Sequence, residues 1–260
     1  MALPKYVAEL TECFLSAVDE ALPGRLSGLF LRGSLGWGEF FSGSDVDFVG
    51  LWDELPVGAD LELLSDAHAA VSSSFPAHDF DGFHCEARDL SRSPALIDRR
   101  PVFFRSEFDV RGTLDLNLVS WHELAERPIV VRGPIPPIYT DLDELLAFTR
   151  ANLDTFWRDL IKQVDEVGTA ALGAHDASVA FVTLGPARLH HLLRSKTMTS
   201  KSGAGRYIID QLDSRWRTIA EEALRIREQP ESQSRYASAA ERGQDASDLL
   251  RWLVDDGTSG

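Results

Sequence analysis

The stretch that decides the fold is residues 31–50, LRGSLGWGEFFSGSDVDFVG, with Gly33-Ser34 near its start and Ser44-Asp45-Val46-Asp47 near its end. It predicts a strand, a tight Gly-Ser turn, a short crossover and a second strand whose apolar residues continue to Leu51. Side chains at positions i and i+2 of a strand point to the same face of the sheet. We therefore expect the carboxylates of Asp45 and Asp47 to project together.

A pair of neighbouring carboxylates is a typical ligand set for a cation. Two adjacent carboxylates repel, so a site keeps both ionised mainly when a cation lies between them. Magnesium prefers oxygen ligands and commonly takes one or two carboxylates together with substrate phosphates. Gly33 permits close approach of the backbone to a phosphate, and the Ser34 hydroxyl can donate to it. The unit therefore predicts a metal–nucleoside triphosphate site in which Asp45 and Asp47 bind the metal. The residues expected to bind the nucleotide include Gly33, Ser34 and Ser44.

The order of predicted elements indicates two domains. Helical spacing predicts helices over 4–22 and 60–75, and a shorter one over 121–126. Strands are predicted over 28–31, 45–51, 83–90, 113–119 and 129–131. The GPIPP segment at 133–137 breaks both helices and strands, and beyond it helices are predicted over 141–167, 176–195, 202–212, 214–228 and 235–254. We predict an α+β fold, with a mixed-sheet domain over residues 1–138 followed by an all-α helical bundle over 139–260.

The Gly-Ser, spacer, Asp-x-Asp order resembles the signature of the DNA polymerase β-like nucleotidyltransferase superfamily. The resemblance implies that the first domain is a nucleotidyltransferase domain and that its co-substrate is a magnesium-bound nucleoside triphosphate. It also implies a catalytic role for Asp45 and Asp47.

The composition of the chain limits the kinds of partner that we expect it to bind. The 260 residues carry a net charge of −15, which disfavours nucleic-acid binding and favours a cationic small substrate. The two cysteines, Cys13 and Cys85, are too few for a disulfide framework or a zinc site. No apolar run has the length of a membrane span, and the N-terminal residues lack the apolar region of a signal peptide. We expect a cytoplasmic monomer with no membrane partner.

One stretch of this acidic chain contains no acidic residue. Residues 177–209 lack Asp and Glu but include Arg188 within a predicted helix and Lys201 at the start of the next. A helix N-terminus beside a lysine favours anion binding. The stretch resembles the C-terminal domain of the aminoglycoside adenylyltransferases that modify the antibiotics streptomycin and spectinomycin. In that family an arginine and a lysine thirteen positions later contact the phosphates of ATP, which implies the same role for Arg188 and Lys201.

Nucleotidyl transfer also needs a base for the acceptor hydroxyl, which a carboxylate near the metal can supply. The aminoglycoside enzymes carry a catalytic glutamate on the third strand, and the resemblance implies that Glu86 is the base and a further metal ligand. His84 is an alternative under a shifted alignment. Asp81 and Asp115 are further alternatives.

The half of the family pattern that contacts the antibiotic is less well matched. The family's tryptophan before the fourth strand has no counterpart in FFRSEFDVRGT at 103–113. Its acid ten positions before the phosphate-binding arginine falls on Ser178, near Asp176, and its late tyrosine falls on Arg227. The leading hypothesis is transfer of AMP from Mg-ATP to a hydroxyl of a small cationic acceptor such as an aminoglycoside. The alternatives are a macromolecular acceptor, as in nucleotidyltransferase toxins, and a non-catalytic nucleotide-binding protein.

Overall fold

The computed structural model describes residues 3–259. The chain divides into two compact units, Met1–Asp141 and Leu142–Gly260. The sequence placed the boundary a little earlier, after residue 138. Among the described residues, no helix is both long and apolar enough to cross a membrane.

The first unit is built on a six-stranded mixed sheet with the strand order β5-β4-β3-β2-β1-β6. Its strands are β1 Leu26–Leu31, β2 Val46–Trp52, β3 Phe80–Glu86, β4 Arg100–Phe104, β5 Glu107–Gly112 and β6 Ile129–Arg132. The central strands β2 and β3 are parallel, whereas the other neighbouring strands pair in antiparallel fashion. The helix α2 lies between β2 and β3 in the chain, as a parallel connection requires.

Four helices accompany this sheet: α1 Lys5–Ala21, α2 Ala59–Ser74, the single turn α3 Ala87–Leu90, and α4 Leu118–Glu126. Alternation along β2 sends Phe48 into a core shared with α1 and α2 and sends Val49 into a second core that contains Trp121 of α4. Both faces of β2 are therefore buried, which explains why its sequence is almost continuously apolar after Asp47.

The second unit is helical. Its helices are α5 Leu142–Asn152, α6 Arg158–Val167, α7 Thr169–Gly173, α8 Asp176–Ser195, α9 Lys201–Gln211, α10 Arg217–Glu228 and α11 Ala239–Thr258. A π-helical segment, Leu153–Trp157, joins α5 to α6. The core includes Leu153 and Trp157 from that segment and Leu249, Leu250 and Leu253 from α11.

The α+β prediction is confirmed, with a mixed sheet in the first unit and helices in the second. The predicted strand over 113–119 is wrong. Asn117 accepts a hydrogen bond from the Ser120 backbone at 3.1 Å and caps α4, so this stretch leads into a helix. The strands that extend the sheet beyond β3 are β4 and β5, which lie in a segment that the sequence left unassigned.

Candidate active site

Gly33 brings the turn after β1 against the carboxylate of Asp47. Its φ of 64° lies in the left-handed region, and a Cβ built there would lie 1.9 Å from Asp47 Oδ2. The backbone N–H of Arg32 also donates to the Asp47 carbonyl at 3.1 Å. Only glycine fits this position, because any side chain would displace Asp47. The turn continues as a short 3₁₀ helix over Gly33–Trp37.

Ser34 and Ser44, both predicted to bind the nucleotide, have different surroundings. The Ser34 hydroxyl is buried and has no hydrogen-bond partner among the described residues, so it remains available as a donor to a bound group. The Ser44 hydroxyl instead accepts from the Phe41 backbone N–H at 3.0 Å, and its own N–H donates to the Phe41 carbonyl. Ser44 therefore closes the turn that leads to Asp45.

Arg32 is a buried cation that the sequence analysis missed. Its side chain is only 6% exposed and contacts three carboxylates: Glu123 at 3.2 Å, Asp47 at 3.5 Å, and Asp115. Burial lowers the pKa of Arg32, but the surrounding carboxylates together raise it by more than burial lowers it. The net shift is therefore upward, and the guanidinium stays charged. The sequence signal was an arginine directly after the apolar run of β1.

Asp47 and Asp81 lie side by side on β2 and β3. They are direct partners in the parallel register, and paired residues of neighbouring strands point to the same face. Burial raises the pKa of Asp81 to about 6, the Arg105 backbone N–H opposes this shift, and the charges of Asp79, Asp45 and Asp115 add to it. Asp81, considered from the sequence only as an alternative to Glu86, thus lies beside Asp47 on the same face of the sheet.

Asp45 lies one residue before β2 and is partly exposed. Burial raises the pKa of Asp47, an effect that Arg32 opposes and that the charges of Asp45, Asp115 and Glu123 increase. The carboxylates that interact in this way are called the carboxylate cluster below. The cluster consists of Asp45, Asp47, Asp81, Asp115 and Glu123, with Arg32 as its internal cation.

The cluster offers the kind of oxygen ligand that magnesium prefers. Its donors are carboxylate oxygens, the charge of Arg32 does not balance theirs, and the raised pKa values of Asp47 and Asp81 reflect burial together with that excess. Within residues 3–259, however, no three Asp, Glu, His or Cys side chains converge into a ready-made metal cage. This fits a site in which the protein supplies two carboxylates and the substrate phosphates supply further ligands.

The structure does not bring Glu86 to the cluster. Glu86 pairs with Trp52, five residues beyond the Asp47–Asp81 pair, which places it about 17 Å along the strand. Odd and even positions of β3 face opposite sides, so Glu86 also points away from the face of Asp81. Its carboxylate caps α3, contacts Arg88 and accepts from the Leu55 backbone at 3.2 Å. This position does not support Glu86 as base and metal ligand.

His84, the second alternative for the base, belongs to the core. Trp52 Nε1 donates to His84 Nδ1 at 3.0 Å, so His84 Nε2 carries the hydrogen that it shares with His68 Nε2 at 2.9 Å. Burial lowers the pKa of His84 to about 3 and lowers that of His68 as well. Both rings are therefore neutral, and their hydrogen bonds lie within the core that β2 shares with α1 and α2.

In the second unit, Arg188 lies within α8 and Lys201 begins α9. Ser200 Oγ accepts from the Gly203 backbone at 2.8 Å and caps this helix, which leaves the exposed Lys201 side chain at its N-terminus. Arg188 Nε donates to the Thr199 carbonyl at 3.1 Å, which ties α8 to the segment before Lys201.

The residues near the family's antibiotic-contacting positions have structural contacts. Asp176 pairs with Arg225 at 2.9 Å and with Arg242 at 2.7 Å, in a network around the fully buried Glu222. Arg227 donates to Ser202 Oγ at 3.3 Å. These contacts hold α8, α9, α10 and α11 together.

No protein-family model and no curated protein matches this chain. Among solved structures, it is similar to spectinomycin adenyltransferase AAD(9) from Enterococcus faecialis, whose crystal structure contains ATP and spectinomycin. The TM-score is 0.63 at 11% sequence identity, and the match covers 94% of this chain and 98% of the other. The similarity therefore extends over both units and shows a shared fold.

Proposed function

We propose that this protein is a magnesium-dependent nucleotidyltransferase that transfers AMP from ATP to a hydroxyl of a small cationic acceptor. The observation that carries the proposal is the pairing of Asp47 with Asp81 next to Asp45 and the Gly33-Ser34 turn. The fold shared with an adenyltransferase solved with ATP supports ATP as the co-substrate. The net charge of −15 favours a cationic acceptor.

Asp45 and Asp47 would hold the metal, which when bound supplies charge neutralisation for the triphosphate. Asp81 accepts the proton of the acceptor hydroxyl, because its pKa of about 6 leaves it ionised yet basic near neutral pH. The acceptor oxygen then forms a bond to the α-phosphorus while the bond to the bridging oxygen breaks. Pyrophosphate leaves with the electrons of that bond.

Three donors are proposed for the phosphate oxygens. Ser34 has a buried hydroxyl that no described residue uses. Lys201 lies at the N-terminus of α9, where the helix dipole also favours an anion, and Arg188 on α8 donates to the Thr199 carbonyl just before it. The role of these two cations rests on the family spacing together with this helix-start geometry.

The function is tested by pyrophosphate release with each nucleoside triphosphate against a panel of aminoglycosides, spectinomycin and other amino-sugars. We expect magnesium-dependent release with ATP and at least one cationic acceptor. ATP binding without release for any small acceptor would contradict a small-molecule transferase. Release with tRNA or protein alone would identify a macromolecular acceptor instead.

The base is tested by comparing Asp81→Asn with Glu86→Gln. We expect kcat to fall by about 10²–10⁴-fold in Asp81→Asn, because removing a general base costs rates of that order. Glu86→Gln should keep kcat within about threefold of wild type, since its carboxylate lies about 17 Å from the cluster along the strand. A larger loss of kcat in Glu86→Gln than in Asp81→Asn would identify Glu86 as the base instead. Circular dichroism of both variants controls for folding.

A further inference from the structure

The loop that carries Asp45 is held by the segment immediately before β3. Asp45 lies outside β2, so no ladder hydrogen bond of that strand fixes it directly. The peptide groups on its two sides are nevertheless both bonded. The Ser44 carbonyl contacts His78 Nδ1 at 2.5 Å, and the Val46 N–H donates to the Asp79 carbonyl at 2.8 Å. Asp45 is thus placed between two anchors from consecutive residues of one segment.

The His78 ring is itself fixed by aromatic contacts. Its centroid lies 4.7 Å from that of Phe40, on the same loop as Asp45, and 4.9 Å from that of Tyr6 on α1. Because a carbonyl can only accept, His78 Nδ1 carries the hydrogen in this contact.

We propose that His78 is a positioning residue for Asp45. The inference rests on the proposed function, because it concerns how the metal-binding aspartates are aligned. The segment that contains His78 continues into Asp81, the partner of Asp47. A single short stretch therefore places the third acid directly and orients the first aspartate through the Ser44 carbonyl. His78 touches no reacting atom in this arrangement.

Three substitutions of His78 separate the hydrogen bond from the packing. In His78→Asn the amide nitrogen occupies a place close to that of Nδ1, so the donor is kept. In His78→Gln the amide nitrogen lies one methylene further out, where it replaces Nε2 and not Nδ1. In His78→Phe the ring contacts remain but the donor is lost. If His78 only stabilised the fold, the effects of the three substitutions would follow the stability of each variant. They would not follow the presence of a donor at the place of Nδ1.

The first measurement is amide hydrogen exchange of peptides covering residues 41–46, which requires no substrate. We expect exchange at least tenfold faster than wild type in His78→Gln and His78→Phe, and within threefold of wild type in His78→Asn. The second measurement is calorimetric affinity for a non-hydrolysable ATP analogue, with magnesium and with EDTA. We expect the two donor-free variants to lose at least tenfold in affinity with magnesium and less than twofold in EDTA.

The matched control is His122→Asn, because His122 Nδ1 makes the same kind of bond to the Leu118 carbonyl, at 2.8 Å, within α4. It should leave exchange of residues 41–46 and magnesium-dependent affinity unchanged. Equal behaviour of the three His78 variants, or unchanged exchange in this loop, would overturn the inference while leaving the proposed function intact. Wild-type protein whose nucleotide affinity ignores magnesium would contradict the proposed function, and the inference with it.

Discussion

At the scale of single residues, the site is organised by Arg32 and Gly33, which follow each other at the end of β1. Arg32 joins three carboxylates from β2, the segment before α4, and α4 itself. Gly33 brings the backbone within contact of Asp47. The glycine of the Gly-Ser motif therefore constrains the position of the Asp47 carboxylate in the protein alone. Arg32, directly before it, supplies the positive charge that faces this carboxylate.

Removal of Arg32 should destabilise the fold strongly. Arg32→Met leaves buried carboxylates without their cation, and breaking a buried ion pair in this way costs about 3–5 kcal/mol. Adding Glu123→Gln in the same chain removes one of those charges, so part of the loss should be recovered. Urea unfolding of wild type, both single variants and the double variant measures this coupling. Simple addition of the two single losses would show that Arg32 and Glu123 do not interact.

Gly33→Ala should lower both stability and nucleotide affinity. A residue with a side chain at this positive φ costs about 1–2 kcal/mol, and the added Cβ must also displace the Asp47 carboxylate. Gly24→Ala is the matched control, since Gly24 has a φ of 69° but no atom within 4 Å of an added Cβ. Both variants should unfold earlier in urea, but only Gly33→Ala should lose magnesium-dependent binding of the ATP analogue. Equal nucleotide affinity in the two would disprove the contact with Asp47.

At the scale of elements, β3 serves two purposes on its two faces. Asp81 faces the carboxylate cluster, whereas His84 faces the core and shares a hydrogen with His68 of α2. His68 Nδ1 is buried and has no hydrogen-bond partner among the described residues, and the ring stacks on Phe103 at 4.3 Å. Burial therefore keeps both rings neutral at neutral pH.

This histidine pair predicts a loss of stability in acid. Both pKa values are lowered on folding, so below about pH 6.5 the unfolded chain binds protons that the folded chain excludes. At pH 5 His84 should lower the free energy of unfolding by about 2 kcal/mol relative to pH 7, and His68 should lower it further. In His68→Gln the decrease between pH 7 and pH 5, measured by urea unfolding, should be smaller than in wild type. An unchanged decrease would mean that His68 titrates normally in the folded protein.

The elements also show which parts of the fold the sequence could predict. The helices of the second unit and the strands β1 and β2 were predicted to within a few residues, because their apolar periodicity is strong. The β4–β5 hairpin was missed because its turn, Arg105-Ser106, has positive φ at two non-glycine residues and so lacks the usual Asn-Gly signal. The late predicted start of β3 left Asp81 outside the strand, which is why Glu86 was preferred to it as the third acid.

At the scale of the whole molecule, the sequence indicated two parts of different composition, and the fold of both parts is similar to that of an adenyltransferase solved with ATP. Two of the five carboxylates in the first unit's cluster, Asp45 and Asp47, were identifiable from the Asp-x-Asp spacing. Arg32, Asp115 and Glu123 were not assigned to a common network, because their contacts join positions more than eighty residues apart in the chain. Sequence patterns report on residues that are close together in the chain. An ion network between residues so far apart therefore leaves no pattern that could be recognised.

Lys201 provides a test of whether the second unit takes part in nucleotide binding. Lys201→Ala should raise the KM for ATP about tenfold, because a charge-assisted hydrogen bond to a phosphate contributes about 1.5–3 kcal/mol. Lys162→Ala is the matched control, since Lys162 is an exposed lysine on α6 whose contact is with Asp159. Steady-state pyrophosphate release at varied ATP concentrations measures both. Equal KM values for the two variants would remove Lys201 from the nucleotide site.

The parallel pairing of β2 with β3 has one further consequence for this kind of protein. Neighbouring strands lie about 4.8 Å apart, so the separation of the Asp47 and Asp81 backbones is set by peptide hydrogen bonds in the middle of the sheet. Loops at the ends of the strands can change in length and sequence without altering that spacing. In the transferase proposed above, acceptor preference can therefore diverge among chains with this sheet while the spacing of the two aspartates is kept.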